Sequence, residues 1–300
     1  MNNDYWSIKM QLISDYMRDE KFRQMLNGLT RKTFGFDFDF WVSGGYFEGD
    51  YIPYSFVEDG RMISNVSANI MRFMQNGKVK NYIQIGTVMT DESHRKQGLA
   101  AKLMKHAIEK YDKDFDGFYL FGDLSAFEFY QKCGFKILNQ YRYTVKEEFC
   151  IRDTGKEAFK PAKEMGDEIR KKYLDLVRKS APHSSFEQIN RYGLQMFYTA
   201  GFDTVFYAED IDCFIVLDED DGIVLQSVLC KEKVSLADVL KRIDLNGQKF
   251  RLGFMPLDED KDKCTAELYD GAEDYRLFYM GDELMSVERD KLYFPDLSHA

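Results

Sequence analysis

One stretch of this 300-residue sequence gathers residue types that can hold an anion: Gly86-Thr87-Val88-Met89-Thr90-Asp91-Glu92-Ser93-His94-Arg95-Lys96-Gln97-Gly98-Leu99-Ala100-Ala101-Lys102-Leu103-Met104. Upstream, Tyr82, Ile83, Ile85 and Val88 have strand composition, and turn signals begin at Asp91. Downstream, Leu99, Leu103, Met104, Ala107, Ile108 and Tyr111 share one face of a helical repeat, so a helix is expected to start near Gly98. The first amides of a helix have no intrahelical partner, and its dipole puts positive charge at the same place. Arg95, Lys96, Gln97, Gly98, Leu99 and Ala100 therefore form a candidate phosphate cradle, with Gly98 allowing close approach and Arg95 and Lys96 adding charge. Gly86 suits a bulge in the strand that leads there.

A second constellation comes after a strand expected at Gly117–Phe121. In Gly122-Asp123-Leu124-Ser125-Ala126-Phe127-Glu128-Phe129-Tyr130-Gln131-Lys132-Cys133-Gly134-Phe135, Ser125 and Glu128 read as a capping box and Gly134 is placed to end the short helix. Arg95-x-x-Gly98-x-Ala100 resembles the pyrophosphate-binding signature of the GCN5-related N-acetyltransferases, and Tyr130-x-x-x-Gly134-Phe135 resembles that family's second landmark. The landmarks and the strands and helices between them come in family order, and the resemblance covers residues 1 to about 148. It implies an α/β fold, a mixed, mostly antiparallel sheet flanked by helices. It also implies an N-acyltransferase that moves an acetyl group from acetyl-CoA to a primary amine of a small molecule or polypeptide, without a metal.

The same resemblance implies roles for individual residues. The pyrophosphate would sit on Arg95 through Ala100, the pantetheine arm along the strand edge at Val88, Met89 and Thr90, and the oxyanion near a backbone N–H at Val88. Tyr130 holds the position of the family's general acid; a phenol near pKa ~10 can protonate a leaving thiolate near ~8.5. Asp123 stands where many members carry Asn, which puts that contact in doubt, and Ser125 is the candidate to compensate.

No general base is visible, because Tyr82, Gln84, Gly86 and Val88 place no carboxylate on the strand face. Asp37, Asp39, Glu48 and Asp50 are candidates, as is the terminal carboxylate of Ala300 if the tail folds back as in the two-domain enhanced intracellular survival type. The aromatic run Phe34 to Phe40 reads equally as an acceptor-pocket wall or a half-buried strand. His94 reads as a solvated loop residue, Cys133 as a core thiol, and the acidic runs 218–221 and 258–260 as turns, lacking the ligand spacing of a calcium loop.

Composition narrows the partners. Residues 1–150 hold 20 basic and 20 acidic residues, so the formal charge of -10 resides in the second half. Nucleic acid is disfavoured as a partner; a cationic acceptor is allowed, although a solvated acidic surface explains the same balance. The five cysteines include no Cys-x-x-Cys, and no leader or ~18-residue apolar span is evident, so a cytoplasmic protein without membrane attachment is expected. The oligomeric state is not legible.

The chain divides by composition into residues 1–148, a polar linker at 149–165, and 166–300. In the first part, helices are expected within 8–32, strands at 54–57 and 62–73, and a last strand at 136–145. In the second, helices are expected at 168–179, 186–198 and 235–243, with strands at 204–207, 213–217, 223–229, 250–254, 266–269 and 276–279. That order echoes the first half without an Arg-x-x-Gly, which suggests a degenerate copy that does not bind the cofactor. A non-catalytic acyl-CoA-binding sensor is the alternative to an enzyme; a nucleotide-binding regulator is less favoured because no Walker or Rossmann glycine pattern occurs.

Overall fold

The computed structural model describes residues 10–219, 222–245, 247–271 and 275–300. The start of the expected first helix at residues 8–9 and Asp220 and Asp221 of the first acidic run lie outside the described residues. The strands are β1 (Gln11–Ser14), β2 (Tyr51–Glu58), β3 (Arg61–Gln75), β4 (Lys78–Thr90), β5 (Gly117–Asp123), β6 (Lys136–Leu138), β7 (Gln140–Val145) and β8 (Lys160–Pro161), followed by β9 (Phe186–Gln188), β10 (Val205–Ala208), β11 (Cys213–Glu219), β12 (Ile223–Cys230), β13 (Phe250–Leu252), β14 (Cys264–Tyr269) and β15 (Tyr275–Met280). They build two mixed, mostly antiparallel sheets, in the orders β1-β2-β3-β4-β5-β15-β6, with β9 also on β3, and β14-β7-β13-β12-β11-β10-β8. Among the described residues the parallel pairs are β4 with β5 and β12 with β13.

Local chemistry sets the hairpins of the first sheet. Asp59-Gly60 and Asn76-Gly77 all have positive φ, from 48° to 72°, the conformation of the two-residue turns that match strand twist. The helices α1 (Glu20–Phe34), α2 (Asp39–Ser43), α3 (Leu99–Tyr111) and α4 (Phe127–Lys132) belong to the first half, and α5 (Asp167–Lys179), α6 (Tyr192–Thr199) and α7 (Leu236–Leu240) to the second. Asp19 caps α1 by accepting from the Phe22 amide, and Gly35 ends it at φ 81°. Among the described residues no helix is long and apolar enough to cross a membrane.

Helix α3 buries Leu103, Met104 and Ala107 completely against Tyr54, Val66, Ile83 and Leu120 of the first sheet. This packing aims its N-terminus at the far end of β4. A second core joins the two sheets: Phe73, Tyr82 and Tyr119 from one meet Ile215, Leu225 and Leu252 from the other, and Phe294 stacks on Tyr119 at 4.3 Å.

Several elements differ from the sequence expectation. Within 8–32, Gln11–Ser14 pairs with β2 as a strand and the helix begins only after Asp19, because Leu12 finds a partner in Phe56. Phe34 to Phe40 form no strand; they span the end of α1 and the start of α2. The helix expected from Phe186 begins at Tyr192, since Phe186–Gln188 add to β3 as β9. The last strand of the first half breaks at Asn139 into β6, in the first sheet, and β7, in the second. Conversely β15, from the second half, inserts between β5 and β6. Sheet membership thus does not follow a division of the chain at residue 148.

Candidate functional site

The parallel ladder between β4 and β5 runs only from Tyr82 opposite Gly117 to Gln84 opposite Tyr119. Beyond it the strands part, β4 continuing beside β3 to Thr90 and β5 beside β15 to Asp123. Val88, Met89 and Thr90 border the gap. The Met89 side chain is buried in an aromatic core, so what this residue offers the gap is backbone.

The bulge foreseen at Gly86 is in the next two residues. The register of β3 against β4 shifts between Asn65 opposite Met89 and Ser67 opposite Gly86, leaving Thr87 and Val88 together opposite Val66. Thr87 takes φ 42°, a left-handed conformation that a β-branched residue adopts only when its surroundings impose it. A buried polar chain imposes it here. The Tyr16 and Ser55 hydroxyls share a 2.5 Å hydrogen bond, Ser55 donates to Asn65 Oδ1 at 2.7 Å, and Asn65 Nδ2 donates to the Thr87 carbonyl at 2.9 Å. Thr87 Oγ1 donates to Ser67 at 2.7 Å and lies 2.7 Å from the Tyr51 hydroxyl. The sequence held a signal for this in the run Ser64, Asn65, Ser67 and Asn69, all buried within one strand. Buried polar side chains need partners, and here the partners fix the backbone beside Val88.

At the mouth of the gap, Gly98 (φ 75°) precedes α3 without a side-chain cap, and Lys96 is also left-handed at φ 63°. The amides of Leu99 and Ala100 open the helix, and a Cβ at Gly98 would meet nothing within 4 Å. Arg95 Nε donates to the Thr90 carbonyl at 3.3 Å, which ties the cradle to the end of β4, while Gln97 Nε2 reaches back to the Ser93 carbonyl. His94 is engaged by Glu58 at 3.1 Å.

Tyr130 lies beside the other strand. Its ring packs 5.0 Å from Phe278 of β15 and covers Gly122, where a Cβ would fall 2.6 Å from Tyr130 Cε2. The residue is 7% exposed, and burial together with Asp123 pushes its phenol up to about 12. Gly134 (φ 96°) ends α4, with the Phe135 amide returning to the Tyr130 carbonyl. The expected capping box is not formed. Asp123 is the capping residue, accepting from the Ser125 amide at 2.6 Å, and Glu128 instead pairs with Lys132. The Asp123 carboxylate thus takes the Ser125 amide that the Glu128 side chain would have bonded in a capping box.

Behind the bulge opens a cavity of about 140 Å³. Phe36, Phe38 and Trp41 line it from the first half, Phe197 and Tyr198 of α6 from the second, and Thr87 and Ala300 at the end nearest Val88. Of the aromatic run at 34–40, Phe36 and Phe38 thus belong to a pocket wall, while Phe34 and Phe40 are exposed and outside the lining. Phe197 centres the cluster, 5.6 Å from Phe36 and 5.7 Å from Trp41. Nothing in the sequence pointed to α6 here, since an apolar helix face looks the same wherever it packs. Among the base candidates, Asp37 and Asp39 are bound to Arg31 and Arg23 and line no part of the cavity. Glu48 and Asp50 do line it; Glu48 is paired with Arg178. Asp50 accepts from Asn190 at 3.0 Å, and burial raises its carboxyl above the ordinary range. The tail folds back as expected: a Cβ on Gly86 would stand 2.7 Å from the Ala300 carbonyl oxygen, so only glycine leaves room for it.

A parallel strand pair parts here, with a glycine-started helix at its mouth and a partly open pocket behind. Residues 37–138 match the family model of the acetyltransferase (GNAT) domain. Similar solved structures extend over both halves. A conserved protein of unknown function from Enterococcus faecalis V583 is 16% identical, with 92% of this chain and 73% of that one covered at a TM-score of 0.54. A GCN5-related N-acetyltransferase from Kribbella flavida is 13% identical, covering 91% and 71% at 0.53. Eis1 from Mycobacterium abscessus is 12% identical, covering 90% and 73% at 0.51. At such identities these likenesses speak for the fold. No curated protein matches the sequence.

Proposed function

We propose that this protein transfers the acetyl group of acetyl-CoA to a primary amine by direct attack, in the reducing cytoplasm that its unpaired cysteines suit. Residues 1–148, completed by β15, hold the donor, residues 149–165 link, and residues 166–300 supply the remaining wall of the acceptor pocket. The observation that carries this reading is that the acceptor cavity ends at Thr87, next to Val88 on the open edge between β4 and β5.

The amides from Arg95 to Ala100 take the pyrophosphate, and the backbone of Val88, Met89 and Thr90 runs along the pantetheine arm. The amine nitrogen bonds to the thioester carbon, the carbon–sulfur bond breaks, and the products are the N-acetyl amine and coenzyme A thiol. The Val88 amide steadies the oxygen that gains charge, a kind of contact worth about 3 kcal/mol. Tyr130 gives its proton to the departing sulfur, and burial keeps it in the protonated form this requires. Of the two side-chain carboxylates in the pocket, Asp50 is the one without an ion pair among the described residues, and burial raises its pKa, which suits it to take the proton the amine sheds.

Calorimetric titration with acetyl-CoA tests the donor site on wild type and Gly98→Glu. A Cβ at Gly98 meets no protein atom within 4 Å, so the substitution adds bulk and charge on the ligand's side, together with the backbone strain of a non-glycine residue at φ 75°. Micromolar binding that disappears in the variant supports the reading; wild type that does not bind acetyl-CoA defeats it.

A further inference from the structure

The acceptor cavity has a chemistry of its own. Its walls are mainly the rings of Phe36, Phe38, Trp41, Tyr51 and Phe197, and its charged side chains are those of Glu48 and Asp50, without a lysine or arginine in the lining. The acidic segment at 258–263, a feature that could attract a polycation, lies outside this lining.

Volume and polarity together select the occupant. The cavity is about 140 Å³. An apolar cavity of about 150 Å³ holds one benzene ring. A sugar or polyamine here would turn hydroxyls and ammonium groups onto ring faces that cannot pair them, which is costly for buried polar groups. The rings cannot move apart cheaply, since Trp41 Nε1 is fixed to the Gly193 carbonyl at 2.6 Å and Phe38 packs on Tyr51 at 4.9 Å. Two carboxylates at the wall suit one ammonium group, with Glu48 already shared with Arg178.

Resting on the transferase reading of the same site, we propose that the acceptor is an arylalkylamine-like molecule, a single primary amine on an apolar body the size of one ring. The body sits among Phe36, Phe38, Trp41 and Phe197, and the amine points to the Thr87 and Ala300 end.

The test measures acetyl transfer from acetyl-CoA by chromatography, with 2-phenylethylamine, hexylamine, ethanolamine, spermidine and kanamycin as acceptors, together with calorimetric binding of 2-phenylethylamine to the coenzyme A-loaded protein. The expected result is kcat/KM about 100-fold higher for 2-phenylethylamine than for ethanolamine, the scale set by burying one ring. Phe197→Ala, which removes the ring at the centre of the wall, is expected to shrink that ratio at least about 10-fold, mostly through KM. Preference for spermidine or kanamycin overturns the inference and leaves the transferase reading intact. Binding of 2-phenylethylamine without any transfer keeps the inference and removes the transferase reading. The absence of both binding and transfer of 2-phenylethylamine overturns the inference.

Discussion

The indole Nε1 of Trp41 donates a 2.6 Å hydrogen bond to the carbonyl oxygen of Gly193. Trp41 belongs to α2 and Gly193 to α6, so one bond fastens the first half's pocket wall to the helix the second half contributes. Trp41→Phe keeps a ring but removes this hydrogen bond to the Gly193 carbonyl and part of the buried indole surface. A loss of about 1–3 kcal/mol in urea unfolding is expected, with a raised KM for the acceptor and unchanged affinity for acetyl-CoA.

Asn65 holds the Thr87 carbonyl and is not itself part of the cavity lining. Asn65→Ala should let Thr87 leave its left-handed conformation and so misplace the Val88 amide. We expect kcat to fall about 10- to 100-fold while the Kd of acetyl-CoA changes little, since the cradle is untouched. Equal loss in both quantities, or in neither, would show that the buried chain is structural only.

In the mechanism we propose, Tyr130→Phe removes the proton that the sulfur receives. A fall in kcat of about 100-fold or more is expected, with acetyl-CoA affinity preserved. If the protein is instead a non-catalytic sensor, the variant changes nothing. Because the phenol titrates at about 12, its loss of a proton cannot limit the wild-type rate anywhere below about pH 10. An alkaline decline near neutrality in the kcat profile would take the acid role away from Tyr130.

His299 stacks on Phe121 at 3.8 Å, and its Nε2 is buried without a partner. Burial lowers its pKa from 6.5 to about 4. A histidine kept neutral in the fold stabilises fully above its unfolded value, and this contribution is lost as pH falls from about 6.5 to about 4, roughly 3 kcal/mol in all. His299→Phe should therefore flatten the decline of melting temperature over that interval. A variant as acid-sensitive as wild type would locate the sensitivity elsewhere.

The donor side was legible in the sequence because its chemistry is local. Gly98, the α3 face and the Tyr130–Gly134 spacing each act within a few residues, and each takes the expected conformation. Asp59-Gly60 and Asn76-Gly77 set their hairpins by chemistry that is equally local. The acceptor side was hidden because its parts meet through tertiary packing. Phe197 and Asn190 reach the pocket from residues far along the chain, and nothing in their own neighbourhoods marks them. Ser125 misled because Asp123, two residues earlier, takes the Ser125 amide that Glu128 would have bonded in a capping box. The strand exchange was equally invisible: Ile137 and Tyr143 look alike in composition, yet the break at Asn139 sends them to different sheets.

That exchange has a kinetic side. With β15 between β5 and β6, and β7 between β14 and β13, neither sheet closes until distant parts of the chain have met. Such pairings must overcome loop-closure entropy before any contact rewards it, which makes folding slow and ties both halves to one cooperative transition. Residues 1–148 released alone from the ribosome would expose the edge of β5 where β15 belongs, a ready template for another chain. The nascent protein is thus exposed to mispairing until its last strands emerge, and the acceptor pocket and the donor edge come into being together.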